Sequence, residues 1–404
     1  MKKVFIVGAK RSAVGSFLGS LANVEVSDFG AQVLKSTLEQ AKVNVNKIDE
    51  VMVGNILSAG LGQGIGRQVS INAGIPATVP GLSLNMLCGS GLKTVMDAYI
   101  KVKAGFGNVI VAGGVESMSG APYLVPGRVR SGVKMANQTL VDHMIHDALT
   151  DAFNGYHMGI TAENIAEKHN ISRESQDEFA INSQEKAIKA QDAGKFVDEI
   201  TPIVIKTRRG ETVFEADEYI NRTTSLEKLG TLRAAFKKDG SVTAGNASGI
   251  NDGASFVVVA SEEEVKAQGL TPLVEIIGVG QGGVDPSVMG LGPVPAIEKA
   301  LKNANLNLKD MDLIELNEAF AAQAIGVVKE LSENHNMSVE DIMKVTNVNG
   351  GAIAIGHPVG ASGNRILVTL IYEMLKNKDA KYGLASLCIG GGMGTAVILK
   401  KVGK

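Results

Sequence analysis

The stretch Leu84-Asn85-Met86-Leu87-Cys88-Gly89-Ser90-Gly91-Leu92, continued by Val95, Met96, Tyr99 and Ile100 and then by Val109-Ile110-Val111-Ala112-Gly113-Gly114, decides the fold. A short apolar run enters a glycine-rich turn. From Leu92 the apolar residues recur at i, i+3, i+4, i+7 and i+8, one face of a helix. The run that follows is apolar throughout and ends in glycine, as in a strand buried on both faces. Near the other end of the chain the same order returns: Gly360-Ala361-Ser362-Gly363, then Leu367, Leu370, Ile371, Met374 and Leu375, then Leu387-Cys388-Ile389-Gly390-Gly391-Gly392. Ile48-Asp49-Glu50-Val51 precedes the first set as Met311-Asp312-Leu313-Ile314 precedes the second. The match predicts an α/β protein of two duplicated halves, with chance similarity between strand–helix units as the plainer alternative. Val4–Val7, Val51–Val53, Phe256–Val259, Val274–Ile277 and Ala396–Leu399 are read as further strands.

Between Gly120 and Ala247 the chain is more charged and poorer in strand signals. Phe179, Ser183, Ala187 and Ala190 fall on one face of a polar helix ending before Gly194. Residues 206–238 hold eight Lys/Arg against five Asp/Glu, which composition alone assigns to solvated surface. The whole chain has 404 residues, 45% of them hydrophobic, and a net charge of −2. That excludes general disorder and the basic face of a nucleic-acid binder. Glycine, at 48 residues, is enriched over the usual ~7% and points to tight turns and close backbone approaches. Two cysteines exclude a disulfide scaffold and fit a reducing compartment. No long uncharged apolar stretch predicts a membrane span, so a cytoplasmic protein is expected.

Cys88 stands where a strand, a sharp turn and a helix meet. Helix N–H groups and dipole there are expected to lower its pKa below the ordinary ~8.5, as for an activated nucleophile; a small buried core residue is the competing reading. Cys388 opens a run with four glycines in seven residues, either a backbone nest for an oxyanion or a tight turn with an idle thiol. His357, in Gly356-His357-Pro358, is a candidate general base or oxyanion donor. Asn317, after the strand-like Leu313-Ile314, either orients a water or oxyanion or caps a helix. Asp142-His143-Met144-Ile145-His146-Asp147 lacks a further ligand cluster and reads as a solvated face, not a metal site. Gly62-Gln63-Gly64-Ile65-Gly66 lacks the spacing of a dinucleotide loop.

Taken together, these segments resemble the thiolase family over essentially the full chain. Asn85-Met86-Leu87-Cys88-Gly89-Ser90-Gly91 is similar to its nucleophile motif, and Asn317-Glu318-Ala319-Phe320, Gly356-His357-Pro358 through Gly363, and Cys388-Ile389-Gly390-Gly391-Gly392 to the other three. His157-Met158 and Met289 resemble the biosynthetic acetoacetyl-CoA subgroup. The resemblance implies a layered αβαβα fold: residues 1–119 plus 248–270 as the N-terminal half, 120–247 as an inserted loop domain covering coenzyme A, and 271–404 as the C-terminal half. It implies condensation of two acetyl-CoA into acetoacetyl-CoA and CoA, in a homotetramer, without metal or redox cofactor, membrane or nucleic acid. Cys88, Asn317, His357, Cys388 and Gly390 would be catalytic. Leu149, His157, Met158, Phe236, Ala244, Ala247, Ser248, Met289, Ala319 and Phe320 would bind substrate. The alternative is a degradative 3-ketoacyl-CoA thiolase with longer acyl chains. One departure is Asp217-Glu218-Tyr219-Ile220-Asn221-Arg222: the arginine expected near the CoA nucleotide falls on Asn221, with Arg222 one place further on.

Overall fold

The computed structural model describes residues 2–208 and 210–403. Nine strands form its core: β1 Val4–Ser12, β2 Glu50–Gly54, β3 Gly81–Leu84, β4 Val109–Ser117, β5 Asn251–Ser261, β6 Val274–Gly283, β7 Leu313–Leu316, β8 Tyr382–Ile389 and β9 Met393–Lys401. The first half orders them β3-β2-β4-β5-β1 and the second β7-β8-β9-β6. Thr346 makes a parallel bridge to Ile314 where β3 lies beside β2 in the first half. The pairing senses agree as well. β1/β5 and β5/β4 are antiparallel and β4/β2 parallel, as β6/β9 and β9/β8 are antiparallel and β8/β7 parallel. Even the irregularities repeat: the register slips between Ile6 and Gly8 in β1 and between Ile276 and Gly278 in β6. The duplication is therefore structural. The two sheets touch edge to edge through β1 and β6, with Phe5 opposite Glu275 and Ile6 opposite Val274.

The central strands β4, β5 and β8 are largely apolar and buried on both faces, whereas β6 alternates between buried and partly exposed residues and the edge strand β3 is largely exposed. Val4 and Ile6 join a central core, whereas Phe5 and Val7 join an outer one. Helices α1 Val26–Ala41 and α2 Ile65–Asn72 pack on the first outer face. Helices α6 Pro293–Ala304 and α7 Ala321–His335 pack on the second. Between the sheets lie α3 Ser90–Lys103 and α8 Val359–Lys376. These two central helices touch through glycine. A Cβ on Gly91 would stand 2.9 Å from the Asn364 nitrogen, and one on Gly363 2.6 Å from that of Leu92. The result is a layered αβαβα arrangement with both central N-termini at one place.

The middle of the chain adds α4 Met158–Lys168 and α5 Arg173–Asp192. α5 buries Ser183, Ala187 and Ala190, as the sequence pattern requires. Among the described residues no helix is long and apolar enough to cross a membrane.

Candidate active site

Leaving β3, the chain turns sharply before α3. Leu87 takes φ +47°, the left-handed region an apolar L-residue seldom adopts. Three hydrogen bonds hold it: Leu87 N–H donates to Asn85 Oδ1 (3.0 Å), Ser90 Oγ–H to the Leu87 carbonyl (2.6 Å), and Met86 N–H to Ser90 Oγ (2.8 Å). Cys88 is thereby set at the entrance to α3. The N–H groups of Gly390 and of Cys88 itself bear on the sulfur and favour a thiolate. They do not prevail. Burial pushes the Cys88 thiol up to about 11, and the Glu116 carboxylate adds in the same direction. The expected lowering is thus reversed, because loss of hydration outweighs a helix terminus. At rest Cys88 is a thiol.

Cys388 is the penultimate residue of β8, opposite Gly394 across the hairpin to β9. It is buried, and its thiol lies far above the ordinary range, first from burial and then from the nearness of Cys88. Gly390 follows in the turn. A Cβ there would stand 3.0 Å from Leu87 Cδ1 and 3.5 Å from Met158 Sδ, so a side chain would press on the Leu87 methyl beside the cavity.

His357 lies at the entrance to α8. Its N–H donates to Asn251 Oδ1 (2.8 Å), and Asn251 Nδ2 donates to the Gly15 carbonyl (3.0 Å). Its ring Nδ1 is 2.6 Å from Ser362 Oγ. The single hydroxyl proton of Ser362 goes to the Pro358 carbonyl (2.9 Å). Ser362 therefore accepts, Nδ1 carries the ring proton, and the Nε2 lone pair is left with no protein partner. Burial, assisted by Arg365, pushes the His357 pKa down to about 3, so the ring is neutral.

Asn317 directly follows β7 and is fully buried. Its N–H donates to the Ser386 carbonyl (3.0 Å), yet neither Oδ1 nor Nδ2 has a protein hydrogen-bond partner. Buried amides are normally hydrogen-bonded, so both amide atoms of Asn317 are left to bond a water or a ligand group. The capping alternative fails on position, since Phe320 occupies the N-cap of α7.

A cavity of about 390 Å³ gathers Cys88, His357, Cys388 and Gly390 from both halves. Leu149, His157, Met158, Phe236, Ala244, Ala247, Ser248, Met289, Ala319 and Phe320 all line it, whereas Asn317 is not part of the lining. His157 caps α4, with Nδ1 accepting the Gly159 N–H (3.0 Å). Its ring stacks on Phe236 at 4.5 Å, and Phe236 meets Phe320 edge-on at 6.2 Å, making one aromatic wall. Sequence reasoning missed Met118, Tyr219, Ile250 and Val359, which also line the cavity. It also missed the partners of His357, Ser362 and Asn251; the hydroxyl sits inside the quoted motif, but nothing in the sequence reveals its bond. In the departing stretch, Arg222 is engaged by Asp192 (2.7 Å) and Gln191 (2.6 Å). His143 is buried and bonded to Asp147 rather than lying on a solvated face, while His146 is exposed.

Residues 4–263 match the family profile described as thiolase, N-terminal domain, and residues 270–401 that of thiolase, C-terminal domain. The acetyl-CoA acetyltransferase of Cupriavidus necator is 53% identical over 402 residues, covering 99% of this chain and 100% of that protein. The chain belongs to the thiolase family. Among solved thiolase structures, the Bacillus anthracis acetyl-CoA acetyltransferase superposes with a TM-score of 0.94 at 42% identity, over 100% of this chain and 99% of that one. The human mitochondrial 3-ketoacyl-CoA thiolase in complex with CoA gives 0.93 at 43%, over 100% and 98%.

Proposed function

We propose that the protein condenses two acetyl-CoA into acetoacetyl-CoA and CoA, reversibly, through an acetyl-Cys88 intermediate. The observation that carries this is the meeting in one cavity of two thiols, a neutral imidazole with a free Nε2 lone pair, and the Gly390 backbone. The relatives named acetyl-CoA acetyltransferase support the substrate.

Cys88 Sγ attacks the thioester carbon of the first acetyl-CoA, and its proton passes to His357 Nε2. A thiol pushed up to about 11 and a ring pushed down to about 3 disfavour this transfer at rest, so it accompanies the attack. The N–H groups of Cys88 and Gly390 receive the oxyanion; each such donor is typically worth ~10²–10³ in rate. As the carbon–sulfur bond to CoA breaks, the departing sulfur takes the Cys388 proton. Cys388 is left as a thiolate, a base strong enough to remove a methyl proton from the second acetyl-CoA. Protonated His357 and a water bound to Asn317 hold the enolate oxygen. The carbanion then attacks acetyl-Cys88, acetoacetyl-CoA forms, and the Cys88 sulfur recovers its proton from His357. Every charge and proton is handled by protein groups and the thioesters, so no metal or redox cofactor is needed. Residues 120–247 cover CoA, with 1–119 plus 248–270 and 271–404 as the two halves. The exposed Tyr123, Val125, Met135, Leu140 and Phe153 support burial in a homotetramer. The two free thiols fit the cytoplasm.

A second reading, cleavage of longer 3-ketoacyl-CoA, is favoured by the likeness to the human mitochondrial enzyme. Met158 and Met289, both buried in the cavity wall, favour a short acyl chain. CoA-dependent cleavage across chain lengths decides. A four-carbon substrate is expected to exceed a six-carbon one in kcat/KM by at least ~10–200-fold. A flat profile from four to ten carbons would overturn the biosynthetic reading.

A further inference from the structure

Glu116, at the end of β4, is 0% exposed and plays no part in the chemistry above. Its carboxylate accepts four N–H bonds: Oε1 from Asn55 Nδ2 (2.9 Å) and Leu57 N (3.1 Å), Oε2 from Ile56 N (3.0 Å) and Gly360 N (2.9 Å). All four partners are donors and none can accept a proton, so the geometry suits the ionised form. Gly360 lies in the first turn of α8, three residues after His357, where the helix dipole favours a negative charge. A first-half carboxylate thus clamps the second-half helix that presents the imidazole.

The duplicated half provides an internal control. The matched register slips align Val258 with Ile398, and the strand pairings then align Val111 with Leu384 and Glu116 with Ile389. Ile389 meets the entrance of the opposite helix, α3, as Glu116 meets that of α8: a Cβ on Gly89 would fall 2.2 Å from Ile389 Cδ1. The scaffold closes this contact with an apolar side chain in one half. A buried charge in the other half is not something the fold itself requires. Burial and the neighbouring Asp252 both disfavour that charge, holding the Glu116 pKa up at about 7.

We propose that Glu116 is a positioning residue for His357: its carboxylate, bonded to the Gly360 N–H, fixes the Pro358–Gly360 turn and so the imidazole that serves Cys88. The inference rests on the proposed role of His357. In Glu116→Gln the new NH₂ must face two of the four donors, and the charge near Cys88 is lost. In Glu116→Asp the charge stays but the reach shortens by one carbon.

The test measures acetoacetyl-CoA cleavage by the full chain and iodoacetamide labelling of Cys88, followed by mass spectrometry. Both variants are expected to lose tenfold or more in kcat with KM within twofold. Labelling at pH 8 is expected to rise about threefold in the Gln variant alone, because removing a nearby negative charge favours the thiolate. Wild-type kcat in either folded variant overturns the proposal, as does a KM rise matching the kcat loss. Faster labelling in both variants also overturns it, since that reports general loosening. If the Gln variant does not fold, the Asp variant decides; failure of both to fold assigns Glu116 to the scaffold and overturns the proposal. If wild type does not cleave acetoacetyl-CoA, the functional reading fails, while the labelling contrast still decides whether the Glu116 charge acts at Cys88.

Discussion

The two central helices begin alike and are used differently. At α3, Ser90 donates to the Leu87 carbonyl and accepts from the Met86 N–H. At α8, Ser362 donates to the Pro358 carbonyl and accepts from the His357 ring. A hydroxyl in the first turn of each duplicated helix tightens the Leu87 turn beside Cys88 in one half and sets the His357 tautomer in the other. What packs against each entrance differs too: Ile389 at α3, the Glu116 carboxylate at α8. Duplication thus builds two facing helix entrances at one point. Divergence of a few side chains then sets a thiol at one entrance and a neutral imidazole at the other.

The severest test of this division is Cys88→Ser. Turnover is expected to fall by at least ~10⁴-fold, and the acetyl adduct that wild type forms with acetyl-CoA should be absent from the mass spectrum. An adduct on Cys388 instead would exchange the roles of the halves.

Cys388→Ser is expected to keep acetyl transfer to Cys88, at least slowly, while exchange of the acetyl-CoA methyl protons with deuterated water falls by ~10²–10⁴. Loss of acylation with exchange intact would break the assignment.

The two serines sharpen the comparison. Ser362→Ala frees the His357 ring to adopt the wrong tautomer, and kcat is expected to fall about tenfold, the worth of one good hydrogen bond. Ser90→Ala leaves that tautomer intact. Its main effect should be a lower melting temperature from relaxing the strained Leu87 turn, with a smaller loss of kcat. Equal kcat losses would mean that the serines serve only packing.

A further test, which needs no substitution, concerns protonation. With the Cys88 thiol pushed up to about 11, only its minor thiolate fraction reacts below that pH. Alkylation of the free enzyme should therefore rise about tenfold per pH unit from 7 to 9, with no plateau. A plateau near pH 7 would mean that the α3 entrance stabilises a resting thiolate after all.

That last point marks where sequence reading stops. The placement of Cys88 before a helix is legible from Leu84 to Ile100, but the sign of its pKa shift is not. A helix terminus is a local feature, whereas dehydration of a sulfur depends on everything that folds over it. The aromatic wall behaves likewise: His157, Phe236 and Phe320 are each identifiable as lining residues, yet their stacking joins segments 79 and 84 residues apart. Asn317 was legible as a candidate; its burial without a protein partner was not.

The sequence by itself indicated an α/β chain with two similar strand–helix–strand units, because buried strands read as apolar runs and packed helices as a 3.6-residue apolar period, while the layered αβαβα order came from the family resemblance. It also offered Cys88, Cys388 and His357 as candidates, which the family resemblance singled out and the fold brings into one cavity. Tertiary structure alone decided their states. The His357 tautomer depends on a hydroxyl whose proton is already committed to the Pro358 carbonyl. The turn that holds the ring depends on Asn251 and Glu116, 106 and 244 residues from their partners His357 and Gly360. Such contacts carry no local signal, because hydrogen-bond partners and dehydration are set by what the fold brings close in space.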